Sequence, residues 1–244
     1  MKLHNKIAHL FGYELIRKRK LGHLIAASHL EIMLRALEIN CVIDAGANRG
    51  DYGALLRDIG YTGLIISFEP VNAICDGLRS RAARDEQWHV YQYALGSADE
   101  RKAINVTSAT GFTSFHRANA YGHRRFGNKQ VDIARQEDVE VRRLDGLFET
   151  LGLSHDTSSL RIFLKMDTQG YDLEVFKGAG GVLDYVHGLQ SELSVRHIYE
   201  GMPDYIDALT EFREKGFEVT GMYPVSRDHE SGVVIEFDCM MRRT

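Results

Sequence analysis

Two acidic residues, each at the end of a short apolar run, limit most strongly what this chain can fold into. Asp44 ends the apolar run at 41–44 and is followed by a glycine-containing segment. Glu69 ends a second apolar run, at 64–69, and a proline comes directly after it. In doubly wound sheets, a strand, a glycine-rich turn, a helix and an acid on the next strand surround a nucleoside. The pattern therefore predicts a βαβ unit that holds a nucleoside.

Short apolar runs alternate with helical stretches along most of the 244 residues. Strands separated by helices are typical of a parallel sheet that is covered on both faces. The last two runs, at 217–219 and 233–237, are joined by a turn-forming stretch without a helix, which predicts antiparallel pairing. We therefore expect an α/β, Rossmann-like fold with a mostly parallel sheet, a terminal antiparallel hairpin and helices on both faces. The other predicted strands are 41–45, 64–69, 88–95, 160–167 and 186–193, and the predicted helices lie near 51–59, 71–84, 171–177 and 203–215.

We expect one domain at 41–244, preceded by a helical N-terminal arm at 1–40. Apolar residues at helical spacing predict an amphipathic helix from about 22 to 38 within this arm. We expect the arm to cover the bound ligand or to build a homodimer.

A polar insert at 96–140 interrupts the alternation and carries predicted short strands at 102–106 and 139–141. Long inserts in compact domains are usually either functional or disordered. The glycines, hydroxyls, aromatic rings and basic groups at 107–128 favour a lid or acceptor-binding loop that sets specificity. A mobile surface loop is the alternative.

Composition limits the partners and the compartment. A net charge of −4 and a pI near 6.3 argue against a broadly basic surface for nucleic acid. No apolar run reaches the length of about 18 residues that spans a membrane, and the start lacks the pattern of a secretory signal. Cys41 and Cys239 lie in apolar runs, which indicates buried thiols in a reducing compartment. We expect a cytoplasmic protein.

One local exception is the basic run at 17–20, which follows apolar residues at helical spacing. It is either a solvated helix face or a surface helix on anionic lipid, with the basic groups at the headgroups. The second alternative predicts peripheral membrane contact through residues 7–20.

The glycine-containing segment favours one class of nucleoside ligand. Asn48 stands where a nicotinamide-binding loop has its second glycine, and its side chain would crowd a pyrophosphate. A carboxylate at Asp44 would also repel a diphosphate, whereas it would attract the sulfonium and ammonium groups of S-adenosylmethionine. The segment therefore predicts an S-adenosylmethionine site, with an ordinary strand–turn–helix connection as the alternative.

Glu69 strengthens this prediction, because an acid at the carboxyl end of a strand can accept hydrogen bonds from both ribose hydroxyls. Its alternative is a solvated charge at a strand end. Ala94 and Leu95, at the end of the third predicted strand, would line the adenine ring with small apolar groups. The predicted cofactor-binding residues are Asp44, Gly46, Ala47, Asn48, Gly50, Glu69, Pro70, Ala94 and Leu95.

A third block, at 163–179, contains a strand that ends in Asp167, a turn at Gly170 and a helix closed by Gly178. Together with the blocks at 41–50 and 64–70, it resembles the FkbM-type methyltransferase family. The resemblance covers about residues 41 to 240, and the segments RRLD and ELSV-HIYEG also match it.

The resemblance implies a Rossmann-like methyltransferase that uses S-adenosylmethionine for O-methylation. Its acceptor would often be a sugar hydroxyl in a glycolipid, a polysaccharide or a secondary metabolite. Many members carry Glu where Gln169 stands here, so no role should depend on a carboxylate at that position. The chain also lacks the Pro-Cys and Asn/Asp-Pro-Pro-Tyr/Phe patterns of enzymes that methylate nucleobases.

The candidate catalytic residues are Asp167, Glu192 and His197, which lie at or just after the ends of the fourth and fifth predicted strands. In one mechanism, His197 or Asp167 takes the acceptor's proton directly. In the other, Asp167 and Glu192 hold Mg²⁺, which acidifies the hydroxyl. The alternatives are a rim position for His197 and a turn-capping role for Asp167. Lys165 would contact the acceptor or pair with a neighbour.

Two other functions are compatible with such a sheet. An NAD-dependent oxidoreductase would share the ribose acid, although Asn48 argues against it. A non-catalytic binding module on a methyltransferase scaffold would need no intact pocket, and here the pocket acids are present.

Overall fold

A computed structural model describes residues 21–154, 157–228 and 230–244 of the chain. Its helices are α1 (Leu21–Ala36), α2 (Asp51–Asp58), α3 (Asn72–Ala82), α4 (Ala120–Phe126), α5 (Asn128–Val131), α6 (Leu144–Leu147), α7 (Asp172–Gly178) and α8 (Tyr205–Glu214). Its strands are β1 (Cys41–Ala45), β2 (Leu64–Phe68), β3 (Trp88–Tyr91), β4 (Ala94–Leu95), β5 (Glu100–Thr107), β6 (Ile133–Arg142), β7 (Ile162–Met166), β8 (Val186–Ser194), β9 (Phe217–Arg227) and β10 (Val234–Arg243).

Seven strands form the main sheet, in the order β3-β2-β1-β7-β8-β10-β9. The first five are parallel, and β10 runs antiparallel to both β8 and β9. This arrangement confirms the predicted mostly parallel sheet with a terminal antiparallel hairpin. The two sheet ends differ because the chain between β9 and β10 is too short for a crossover helix.

The apolar strands are buried on both faces, as expected for a parallel sheet. On one face, Ile43 and Leu164 pack in a cluster that includes Phe176 of α7 and Phe212 of α8. On the other, Val42 and its neighbours pack with side chains from α1, α2 and α3. The helices therefore cover both faces, which confirms that part of the predicted fold class.

The insert forms a second, three-stranded sheet in the order β4-β6-β5. The single strand predicted at 88–95 is divided: β3 pairs with β2, whereas β4 pairs with Val141 and Arg142 of β6. Because β3 is the edge strand of the main sheet, the chain can leave that sheet after Tyr91. The predicted short strands at 102–106 and 139–141 are parts of the longer β5 and β6.

The last hairpin is also longer than predicted, because β9 continues past Pro224 to Arg227. Proline has no N–H to donate to a neighbouring strand, so a proline in the sequence usually indicates that a strand has ended. β9 is the outermost strand of the sheet, and its pairing with β10 is irregular next to Pro224, which are the positions where strands tolerate proline.

The N-terminal helix α1 packs Leu30, Met33 and Leu34 against the face of the sheet that contains Val42. The possible membrane contact through 7–20 lies outside the described residues. The division into an arm at 1–40 and a domain at 41–244 stays a prediction, as does the homodimer. Among the helices that the structure describes, none is long and apolar enough to cross a membrane.

A buried ion pair joins β1 to β7 in the middle of the main sheet. Lys165 Nζ lies 2.9 Å from Asp44 Oδ1, and the two residues are 4% and 0% exposed. Ser67 Oγ on β2 donates to Asp44 Oδ2 at 3.3 Å and accepts from Trp88 Nε1 on β3 at 3.0 Å. Polar side chains from four adjacent strands are thus connected through the sheet interior.

Burial favours neutral Lys165, but the charges of Asp44, Asp167 and Asp172 outweigh it and raise the pKa of this lysine above its ordinary value. Lys165 therefore keeps its charge in the folded protein, although it is buried.

Replacing one member of this pair should lower the stability of the fold more than replacing both. Lys165→Met leaves the Asp44 carboxylate buried and unpaired, so the free energy of unfolding should fall by about 3–5 kcal/mol. Asp44→Asn/Lys165→Met removes both charges, and its loss should be smaller. Urea unfolding followed by circular dichroism measures both values. A double variant as unstable as Lys165→Met, or more so, would contradict the prediction.

Candidate active site

A cavity of about 270 Å³ lies at the carboxyl ends of β1, β2, β7 and β8, beneath residues 110–115 of the insert. This is where ligands bind in open α/β sheets. Its lining comes from the glycine-containing loop, the end of β2, the small sheet, the β7–α7 turn and the end of β8. It includes Gly46, Asn48, Glu69, Pro70, Ile74, Ala94, Leu95, Ile104, Thr110, Gly111, Thr113, Phe115, Asp167, Thr168, Gln169, Tyr171 and Glu192.

The loop after β1 approaches the β7–α7 turn too closely for a side chain at Gly46. A Cβ there would lie 2.1 Å from the Asp167 carbonyl oxygen, and the φ of Gly46 is +74°. Asn48 also has a positive φ, of 46°, and its Oδ1 is buried without a hydrogen-bond partner. Of the predicted loop residues, Gly46 and Asn48 line the cavity, whereas Ala47 and Gly50 are buried behind it.

Glu69 reaches the cavity as predicted for the acid after β2, and it is 5% exposed. Its Oε2 accepts from the backbone N–H of Asn48 at 2.9 Å, and its Oε1 accepts from that of Val71 at 2.9 Å. Burial raises the pKa of Glu69 to about 7, although these two N–H groups favour the charged form. The carboxylate is therefore oriented before any ligand binds, and each oxygen keeps a further lone pair.

Beside Glu69, one wall of the cavity is apolar. Ala94 and Leu95 are part of it, as are Pro70 and Ile74. The split between β3 and β4 produces this wall, because it brings β4 into the small sheet above the main one. The wall can pack against a flat heterocycle.

Asp44, by contrast, does not reach the cavity. Its carboxylate lies below the loop, paired with Lys165. The predicted contact of Asp44 with the ligand's cationic groups stays a prediction, and the cation that Asp44 contacts in this structure belongs to the protein. Lys165 was expected either to contact the acceptor or to pair with a neighbour, and in the structure it pairs with Asp44.

At another part of the lining, Gln169 connects Asp167 with Glu192. Gln169 Nε2 donates to Asp167 Oδ1 at 3.1 Å and to Glu192 Oε2 at 2.8 Å. Asp167 Oδ2 also lies 3.6 Å from Lys165 Nζ. Burial, and then the charges of Asp167 and Glu236, raise the pKa of Glu192 well above its ordinary value. The structure thus brings together two of the three predicted catalytic residues in two different electrostatic environments.

This arrangement does not fit the predicted magnesium site. An N–H donor lies between Asp167 and Glu192, where a shared cation would need oxygen ligands. In the part of the chain that the structure describes, no group of three or more His, Cys, Asp or Glu side chains is arranged to hold a metal. We therefore assign no step to a metal ion.

His197 is not brought to the cavity. Its side chain is 41% exposed, and its Nε2 lies 3.7 Å from Asp204 Oδ2, at the start of α8. β8 ends at Ser194, and the loop that follows holds the His197 side chain outside the residues that line the cavity, so its role as a base stays a prediction.

Asp172 organises this part of the site, and the sequence analysis missed it. Its Oδ1 accepts from Thr168 N at 2.8 Å and from Thr168 Oγ1 at 2.5 Å. Its Oδ2 accepts from Ser191 Oγ at 2.8 Å and from Glu192 N at 3.1 Å. One buried carboxylate therefore ties the β7–α7 turn to the end of β8. The available signal was an acid in the first turn of α7, directly after the turn at Gly170.

The insert is bonded to the site at several points. Ser114 Oγ donates to the carbonyl oxygen of Gln169 at 2.7 Å, and Asn119 N donates to that of Ile198 at 2.9 Å. Phe115 and Tyr171 lie against each other with ring centroids 4.7 Å apart, and both line the cavity. Aromatic groups from the insert and from the β7–α7 turn thus form one continuous wall.

No curated protein matches this chain. The fold is similar to that of magnesium protoporphyrin IX methyltransferase from Synechocystis PCC 6803 with bound S-adenosylmethionine, at 10% identity and a TM-score of 0.47, covering 99% of this chain and 91% of that one. It is also similar to 1,6-didemethyltoxoflavin-N1-methyltransferase from Burkholderia thailandensis, at 9% identity and a TM-score of 0.44, covering 92% and 79%. Neither likeness bears on the substrate of this chain.

The family assignment comes from the sequence comparison. Residues 44–219 match the methyltransferase FkbM domain. The matched range contains the glycine loop, Glu69, the insert and the β7–α7 turn, and it covers most of the chain. This protein belongs to the FkbM methyltransferase family.

Proposed function

We propose that this methyltransferase transfers a methyl group from S-adenosylmethionine to a hydroxyl oxygen, with a sugar as its acceptor. One observation carries the proposal: Glu69 and Asp167, which follow different strands, line the same cavity together with the glycine loop. A nucleoside-binding acid and a candidate proton acceptor therefore share one enclosed space.

The features around Glu69 suit the methyl donor. Its carboxylate is oriented by two N–H groups and can accept hydrogen bonds from the ribose hydroxyls. Ala94 and Leu95 suit the adenine ring, and the backbone at Gly46 allows close approach. The unpartnered Asn48 Oδ1 offers an acceptor for an ammonium group. The NAD alternative remains disfavoured, because the Asn48 side chain stands where a pyrophosphate would pass.

Asp167 is the proposed general base. Its side chain is 40% exposed, and its Oδ2 lies 3.6 Å from Lys165 Nζ. As the acceptor oxygen bonds to the methyl carbon, the bond from that carbon to sulfur breaks and S-adenosylhomocysteine leaves. The hydroxyl proton passes to Asp167. Alignment of the two reactants within the cavity supplies most of the acceleration.

The rest of the lining supports a polyhydroxylated small-molecule acceptor. Thr110, Thr113 and Thr168 offer hydroxyls that can bind sugar hydroxyls. Phe115 and Tyr171 offer flat apolar surface against which a sugar ring can pack. A non-catalytic module would need neither this lining nor an oriented Glu69, so we consider it the weaker alternative.

The donor site is tested by Glu69→Ala. Without the carboxylate, the ribose hydroxyls lose their acceptor, so S-adenosylhomocysteine should bind more weakly by about 1–3 kcal/mol. Isothermal titration calorimetry measures this, with NAD titrated in parallel. The matched control is Glu86→Ala, which removes an exposed glutamate before β3. Unchanged affinity in Glu69→Ala would remove Glu69 from the site, and binding of NAD alone would overturn the methyltransferase proposal.

Nucleoside binding should also depend on pH through Glu69. The charged carboxylate is the better acceptor for ribose hydroxyls, and the pKa of Glu69 is raised by burial to about 7. Affinity should therefore rise as the pH increases through about 7 and fall below it. 5′-Methylthioadenosine is the suitable probe, because it has no amino-acid group that titrates in this range. Calorimetry over this range should show the dependence in the natural protein and a flat profile in Glu69→Gln.

Removing the proposed base should separate turnover from binding. Asp167→Asn should lower the rate of methyl transfer to a glycosyl acceptor by about 10²–10⁴-fold, since it removes the general base. Affinity for S-adenosylhomocysteine should change little. Transfer of labelled methyl to a panel of glycosyl acceptors measures the rate. His197→Ala is the control and should keep full turnover; a large loss in this variant, with none in Asp167→Asn, would reverse the assignment.

A further inference from the structure

We propose that the Gln169 amide occupies the position of a metal ion between Asp167 and Glu192, so that this chain takes the acceptor's proton without a divalent cation. The inference rests on the proposed methyl transfer to a hydroxyl. It makes Gln169 a positioning residue, because it acts through the two carboxylates.

The amide nitrogen of Gln169 donates hydrogen bonds to both carboxylates. Gln169 Nε2 lies 3.1 Å from Asp167 Oδ1 and 2.8 Å from Glu192 Oε2, and a primary amide has only two N–H donors. Both donors are therefore engaged. One oxygen of each carboxylate therefore already accepts from the same nitrogen.

The orientation of the amide follows from its third contact. Tyr199 Oη donates to Gln169 Oε1 at 2.7 Å. With Oε1 accepting from the tyrosine hydroxyl, the nitrogen is the atom that faces the carboxylates. The reversed amide would place its oxygen against carboxylate oxygens, which is unfavourable.

The backbone of Gln169 is also constrained. Its φ is +55°, in the left-handed region that non-glycine residues seldom adopt. Its carbonyl oxygen accepts from Ser114 Oγ at 2.7 Å, and Tyr199, which orients the side chain, is 3% exposed. Contacts from the insert and from the loop after β8 thus fix the amide, so it cannot easily move aside for a cation.

The protein itself supplies a positive charge beside one of these carboxylates. Lys165 Nζ, which pairs with Asp44, also lies 3.6 Å from Asp167 Oδ2. Asp167 thus has a cationic neighbour that belongs to the protein.

The first test titrates the natural protein with the metal alone. Mg²⁺ and Mn²⁺ should give no saturable heat in calorimetry and no rise in Tm, and EDTA should not reduce methyl transfer. Saturable binding that Asp167→Asn abolishes would overturn the inference, as would a rate that EDTA removes and Mg²⁺ restores.

The second test exchanges the amide for a carboxylate. Gln169→Glu places three carboxyl groups together, so its Tm should fall in EDTA and recover with Mn²⁺, with saturable Mn²⁺ binding. The matched control, Gln130→Glu, adds the same charge at an exposed position on α5 and should gain no response to metal. A merely structural role for Gln169 would lower the Tm of Gln169→Glu without recovery by metal, and that result would overturn the inference.

Gln169→Met provides a second variant if Gln169→Glu does not fold in EDTA. Methionine has a similar volume but cannot make the two hydrogen bonds that connect Asp167 with Glu192. In this variant kcat should therefore fall, while the affinity for S-adenosylhomocysteine is kept. An unchanged kcat would show that the bridge does not position the base. Because metal binding is measured without methyl transfer, failure of the proposed function, seen as absent cofactor binding, is distinguishable from failure of this inference.

Discussion

The ion pair between Asp44 and Lys165 is the interaction on which the arrangement of the site depends. It joins the two central strands at 2.9 Å, in a position that water does not reach. Such pairs contribute little net stability compared with apolar packing, but an unpaired member is costly. Asp44 and Lys165 lie opposite each other in the pairing of β1 with β7, and the same alignment places Gly46 against the carbonyl of Asp167.

From this alignment, the carboxylates of the site acquire different environments. Glu69 is buried but accepts two backbone N–H groups, whereas Glu192 is surrounded by other acids and receives one N–H of Gln169. Asp167 is more exposed and lies near Lys165. Carboxyl groups in different surroundings are suited to different roles in one reaction. Asp172 holds Asp167 and Glu192 in place, because its carboxylate accepts from Thr168 N in the β7–α7 turn and from Glu192 N at the end of β8.

Local patterns predicted the mostly parallel sheet with its terminal hairpin, and several of the residues predicted to bind the cofactor line the cavity. The runs that end in Asp44 and Glu69 are short, apolar and followed by turn residues, so the sequence indicates where each strand ends. The extent of β9 was not predictable, because Pro224 is tolerated only as a result of its edge position. The partners of Asp44, Gln169 and His197 were also not predictable, since each contact joins segments that are distant in the chain or turned by a loop.

The sequence by itself determined the α/β alternation, the glycine loop and the acid after β2, because these depend on local spacing and on backbone freedom at a few positions. The tertiary structure decided which charged side chains pair with other groups inside the protein and which ones face the cavity. Asp44 is neutralised by Lys165, and Gln169 stands between two carboxylates. The physical reason is that the character of a carboxylate depends on burial and on its nearest donors and charges. Packing between separate strands sets both of these.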